Sequence, residues 1–325
     1  MVKEDYYFGN PDQIRGVEEC YLLEGKADGV RIMRVRNGLG LEVTVCPDRC
    51  ADITRVIFKG DNMGYFAPCG YVSSKYYDAN QSEMVRSFTG GFLTTCGLDN
   101  VGEVCEIDGI TYPLHGRISN QPAKHCYWSE NDDDYTIHAI ISQAALFMDK
   151  MELVREIHIG KKNNTIEIKD QIQNKGDKES ACMFMYHMNM GYPLLSEHAQ
   201  LQINSCDVRP RNEYAREHIS TWKEISEPGS MTEEACYYHS FEEKGVAKIY
   251  NPDIKKGVEI SFDPESLPCF TEWKMMGKYD YVLGLEPGNC NPNGRKKVNQ
   301  SGKLVMLKEN EIVKYGVKIK LLEEA

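Results

Sequence analysis

No run of about 18 apolar residues occurs in this 325-residue sequence, so a transmembrane helix is not expected. The opening Met-Val-Lys-Glu-Asp-Tyr-Tyr lacks the apolar core of a secretory leader, and the expected location is cytoplasmic. Among twelve cysteines there is no Cys-x-x-Cys pair, which argues against a zinc ribbon or a thioredoxin-type centre. Scattered among apolar neighbours, they read as reduced, mostly buried thiols. Neither Gly-x-Gly-x-x-Gly nor Gly-Lys-Ser/Thr is present, so the glycine-rich run 88–102 lacks the marks of a phosphate cradle. It reads instead as close packing of backbone in a sheet, or close approach of a ligand to backbone. No metal site and no cofactor is implied. Positive charge is the scarcer sign: 38 Lys and Arg face 49 Asp and Glu, a net charge of −11. The resulting field repels phosphate, so nucleic acid and anionic membrane are not expected partners. Oligomeric state is left open, a homodimer being one candidate.

Short strand-like segments are plentiful. Val30–Val35 and Leu39–Val45 flank Asn37-Gly38, a strong hairpin signal. Further segments follow every 8 to 14 residues from about 125 to 172, separated by polar turns. In Thr165–Ile172 the pattern sets Ile166, Ile168, Gln171 and Ile172 against Glu167, Lys169 and Asp170. Strands resume at 246–250, 257–262, 270–274, 281–286 and 311–321. Residues 63–86 form a long structured loop of the kind that closes sites. No long amphipathic helix is evident. These features predict one mostly-β domain over residues 1–325, an antiparallel sandwich or barrel, with an N-terminal extension (1–29) and a polar insertion (196–240).

The richest stretch is Met183–Leu195. As a strand it sends Met183, Met185, His187 and Asn189 to one face and Tyr186, Met188 and Met190 to the other. An imidazole and a carboxamide then lie about 7 Å apart on one side. Both could equally be buried groups satisfying a neighbouring loop. His115 and Arg117 would share a face if residues 113–118 are extended. Glu286 ends an apolar strand before Pro287-Gly288, where a carboxylate is costly to bury unpaired.

Leu-His-Gly at 114–116, Tyr-His-Met-Asn at 186–189 and Leu-Glu-Pro at 285–287 together resemble the aldose 1-epimerase, or galactose mutarotase-like, superfamily. The run Thr-Gly-Gly-Phe-Leu-Thr-Thr-Cys-Gly-Leu-Asp-Asn-Val-Gly at 89–102 narrows the resemblance to the DUF4432 branch. It spans about residues 30–321 and implies a β-supersandwich with its site on a concave sheet face. It also implies a small sugar as partner and anomer interconversion through ring opening, with Glu286 as base and His187 as acid. By the same resemblance His115 and Arg117 would bind hydroxyls or polarise the ring oxygen. Asn189, Arg86 and Trp273 complete the candidate substrate contacts, Trp273 as a stacking platform or else a core residue.

The chain departs from the better-known mutarotases after His187, where Met188, Asn189 and Met190 stand in place of Tyr-Phe-Asn, and the usual substrate-binding Asp has no clear counterpart. Arg86, Arg117 and Arg49 hint at a basic pocket and an acidic or phosphorylated sugar. A non-catalytic carbohydrate-binding protein on the same scaffold is the main alternative. A metal triad of His115, His187 and Glu286 is another. A two-carboxylate glycosidase would need a second acid, with Asp99 the best guess.

Overall fold

The computed structural model describes residues 6–230 and 233–323. Met1–Asp5, on which the reading of the chain's opening partly rests, lie outside the described residues, as do 231–232 and 324–325.

Two large antiparallel sheets face each other. The larger runs in the order His125–Glu130, Asp134–Ala144, Lys150–Gly160, Thr165–Asn174, Ile312–Glu323, Lys256–Phe262, Gly245–Asn251 and Gln200–Ile203. The other has six strands, in the order Asp207–Pro210, Ala235–Ser240, Cys269–Met276, Tyr281–Gly288, Met183–Met190 and Leu93–Leu98. Phe184, Tyr186, Met188 and Met190 point from the six-stranded sheet into a core shared with Ile157, Ile166, Ile168 and Ile319 of the larger one. Each such side chain, fully buried, contributes roughly 1.5–3 kcal/mol. The architecture is the antiparallel sandwich that the strand spacing predicts. The α-helices among the described residues, Glu213–Glu217 and Arg295–Gln300, are short. None is long and apolar enough to cross a membrane.

Three expectations change. The N-terminal extension (1–29) carries a strand: Gly16–Tyr21 pairs with Arg31–Arg36 as the first strand of a five-stranded sheet. The polar stretch 196–240 supplies Gln200–Ile203 to the larger sheet and Asp207–Pro210 and Ala235–Ser240 to the six-stranded one. Its sparse apolar residues suffice because the partner strands supply most of the core. Buried Lys274 holds its middle by donating to the carbonyls of Trp222 and, at 3.0 Å, Glu224.

The third change concerns Asp170, which faces inward while Gln171 is exposed, so the alternation of Thr165–Asn174 is unbroken. Its charge is accommodated by Arg155, a fully buried residue on the adjacent strand. Arg155 donates to both Asp170 oxygens at 2.9 and 2.8 Å and to Asp52 Oδ1 at 2.9 Å. Thr95 donates to Asp52 from backbone and hydroxyl, and Tyr186 donates its hydroxyl to Asp170 at 2.8 Å. Buried charges are tolerated when paired and hydrogen-bonded throughout. This network braces the Met183–Met190 and Leu93–Leu98 strands from behind.

Candidate active site

The outer face of the six-stranded sheet holds the candidate site. Register brings its residues into rows. The pairing that runs from Met185↔Gly288 to Met188↔Leu285 sets His187 opposite Glu286. Continuing outward, Glu286 is opposite Thr271 and Thr271 opposite Tyr238, while His187 is opposite Thr94 on the other side. One step along the strands, a second row runs Asn189, Gly284, Trp273 and Cys236. Period-2 alternation turns both rows to the same side.

Gly284 makes room for the acid. A Cβ there would lie 2.4 Å from Glu286 Oε1 and 3.2 Å from the Trp273 ring. The carboxylate therefore folds back over Gly284, between Trp273 and His187.

Above these rows is a cavity of about 320 Å³, of the size that takes one small ligand. His187, Glu286, Thr271, Trp273 and Cys236 form its floor, and His115, Leu114, Met84, Phe88, Arg211 and Pro292 are among its walls. Met84 comes from the long loop 63–86 and Phe88 from just beyond it, so this segment forms part of the cavity wall. The Trp273, Phe88 and His115 rings each meet His187 edge-on, with centroids 5.4, 5.6 and 5.3 Å away.

His187 Nε2 lies 3.2 Å from Glu286 Oε1, with both residues almost fully buried. Burial pushes His187 down to about 4 and Glu286 well above the usual carboxylate range, although Arg211 opposes the second shift. Desolvation penalises whichever form is charged, so burial favours neutral imidazole beside protonated carboxyl. His115 is driven down to about 3 by burial first, then by His187 and Arg211. The Gly102 amide donates to His115 Nδ1 at 3.3 Å, which leaves Nε2 to carry the ring proton.

His115 reaches the cavity by a route the sequence reading did not anticipate. Residues 113–118 are not extended: His115 and Gly116 have φ of +55° and +74°. The turn is clamped to the glycine-rich run by His115 N to Gly102 O and Arg117 N to Gly97 O, both 2.9 Å. Gly116 permits that approach, since a Cβ on it would lie 2.2 Å from the Gly97 carbonyl oxygen. The turn separates the two side chains. Arg117 leaves the site to pair with Asp99 and to donate to Thr111 O at 3.1 Å.

The other arginine expectations also fail on geometry. Arg86 is 75% exposed, pairs with Glu83 at 2.6 Å and does not line the cavity. Arg49 is buried against the Ser119 and Val72 carbonyls. Asp99, engaged by Arg117, does not line the cavity. Asn189 shares a face with His187 as expected, but it is buried beneath the cavity and donates to the Gly91 and His187 carbonyls.

The sequence reading missed Arg211, Glu103 and Glu234 as site residues. Arg211 Nη2 lies 2.7 Å from Glu103 Oε1, its Nη1 3.8 Å from Glu234 Oε1, and Trp273 Nε1 donates to Glu234 at 3.0 Å. Lys297 also donates to Glu103 at 2.6 Å, so two cations meet two carboxylates and no excess positive charge is left at the wall. The only hint in sequence was an arginine in an otherwise solvated stretch. Among the described residues no group of three or more His, Cys, Asp and Glu side chains is arranged to hold a metal ion. All twelve cysteines are free thiols, with Cys206 alone exposed.

Solved structures share this fold. A candidate aldose 1-epimerase from Klebsiella pneumoniae is 23% identical, with a TM-score of 0.88 over 96% of this chain and 86% of its own. A galactose mutarotase-like protein from Clostridium acetobutylicum (14% identical, TM-score 0.66) covers 96% of this chain and 100% of its own. Galactose 1-epimerase from Lactobacillus acidophilus (14%, TM-score 0.62) has the same two coverages. At these identities the likeness is one of fold. No curated protein matches the sequence. Residues 27–321 match the domain of unknown function DUF4432, and the chain belongs to that family.

Proposed function

We propose that the protein interconverts the anomers of a sugar by acid–base ring opening, with Glu286 as base and His187 as acid. The observation that carries this reading is the 3.2 Å contact between His187 Nε2 and Glu286 Oε1 on the floor of a sugar-sized cavity. Ring opening needs one proton acceptor and one proton donor together. A His–Glu pair holding a single proton provides both, whichever partner carries it.

With a hydroxyl hydrogen-bonded to Glu286, the carboxylate form regains the solvation lost to burial, and the pair's proton moves to His187. Glu286 then takes the proton of the C1 hydroxyl, and the O1 electron pair forms the carbonyl. The C1–ring oxygen bond breaks with its electrons on the ring oxygen, which receives the proton from His187 Nε2. The step ends with neutral imidazole and protonated carboxyl, the state that burial favours. Rotation about C1–C2 and the reverse transfers close the ring from the other face.

His115, with its proton on Nε2, is a hydrogen-bond donor to a sugar oxygen, and Trp273 offers an apolar wall to a pyranose face. Arg211, balanced by Glu103 and Glu234, supports a neutral sugar over an acidic or phosphorylated one.

Saturation-transfer NMR across aldoses, ketoses, uronates and sugar phosphates tests this. Accelerated exchange confined to neutral sugars is expected. Binding without acceleration would replace catalysis by a sugar-binding role, and exchange confined to anionic sugars would overturn the substrate class.

A further inference from the structure

Asn189 has a side chain whose orientation is fixed. Its amide nitrogen donates to Gly91 O at 3.2 Å and His187 O at 3.0 Å, so nitrogen and oxygen cannot be exchanged without facing two carbonyls with a third acceptor. The amide oxygen is thus committed as an acceptor. It is fully buried and has no hydrogen-bond partner among the described residues; His187 Nδ1 is buried in the same condition. The two residues are i and i+2 on one face of one strand. A buried acceptor and a buried ring nitrogen on one strand face, each without any hydrogen-bond partner, the other included, are costly apart and complementary if brought together. The Asn189 side chain and the His187 carbonyl lie against the ring and favour its protonated form.

We infer that Asn189 is a positioning residue that fixes the His187 tautomer: its side-chain oxygen is the acceptor that Nδ1–H takes up when the ring turns towards it, a bond not made in the present geometry, and Nε2 is left towards Glu286. This rests on the proposed reaction, in which Nε2 must first take a proton and then deliver it. An Nε2–H tautomer would present a proton to Glu286 with no vacant site to receive one. When Nε2 is protonated, the Asn189 oxygen also stabilises the imidazolium without adding a charge to the cavity.

The test is two-bond ¹H–¹⁵N correlation NMR on ¹⁵N-histidine-labelled protein at neutral pH, joined to pH–rate profiles of Asn189→Ala and Asn189→Asp. Wild type is expected to show a protonated Nδ1 and an unprotonated Nε2 for His187. Asn189→Ala should mix the tautomers and lower kcat about tenfold or more with KM little changed. Asn189→Asp, nearly isosteric, should keep Nδ1–H and move the acid limb of the profile to higher pH. An Nε2–H tautomer in wild type, or an unchanged ring pattern in folded Asn189→Ala, overturns the inference. The wild-type spectrum decides even where a variant does not fold. It needs no substrate, so the expected ring pattern in a protein that exchanges no sugar would uphold the tautomer and sink the mutarotase reading alone.

Discussion

His187 and Glu286 stand opposite each other on neighbouring antiparallel strands, 3.2 Å apart, with side chains only 6% and 2% exposed. Cross-strand opposition fixes the separation of an acid and a base more tightly than two loops could. Both strands are interior to their sheet and held on either side.

Glu286→Gln keeps the shape of the acid and removes its proton chemistry. Anomeric exchange should fall by roughly 10²–10⁴-fold. The melting temperature at neutral pH should hold or rise, because a buried ionisable group is replaced by a neutral one. Near-wild-type exchange would sink Glu286 as the base.

Gly284→Ala places a methyl group 2.4 Å from the present position of Glu286 Oε1. The carboxyl must swing away, and the loss should appear in kcat more than in thermal stability. A crystal structure of the variant with Glu286 undisplaced would contradict this.

Acid should destabilise the fold through its buried histidines. His115 and His187 are lowered to about 3 and about 4, so below pH 6.5 the unfolded chain binds protons that the folded chain refuses. Their contribution to stability therefore falls as pH drops through that window. Glu286, Asp52 and Asp99, all raised by burial, work in the opposite sense above their ordinary range, so the histidine contribution is read as a difference between variant and wild type. Relative to wild type, His115→Gln should gain about 1.4 kcal/mol per pH unit between 6.5 and 4. Denaturant titrations at several pH values read this directly, and a pH-independent difference would refute it.

Much of this was legible in the chain because strand alternation is local. Met183–Met190 declared its two faces, and Asn37-Gly38 its hairpin. His187, Glu286 and Trp273 could be named because each belongs to a strand whose faces the alternation could sort. Arg211 could not, since its place depends on loop segments more than 80 residues away at Pro292 and Glu103. Arg117 was misplaced because a left-handed turn at His115, a non-glycine residue, leaves no period in the sequence. Asp170 was assigned outward because the arginine that accommodates it comes from another strand.

Tyr186→Phe should cost about 1.5–3 kcal/mol in equilibrium unfolding, the worth of a hydrogen bond to a charged group. Asp170→Ala, which strips Arg155 of its bidentate partner, should cost about 3–5 kcal/mol. Equal and small losses in both would mean that solvent reaches Arg155.

The Arg155 network gives the two sides of the cavity different freedom to diverge. The floor residues are spaced by hydrogen-bonded register and backed by charges that tolerate no missing partner, so a change there disturbs the whole plate. Met84, Phe88, Glu103, Arg211, Glu234 and Pro292 arrive from separate segments around the opening, and each can be exchanged without re-registering a strand. Relatives that act on different molecules would therefore be expected to keep the plate and vary the opening, and redesign of ligand preference has its natural starting point at those six positions.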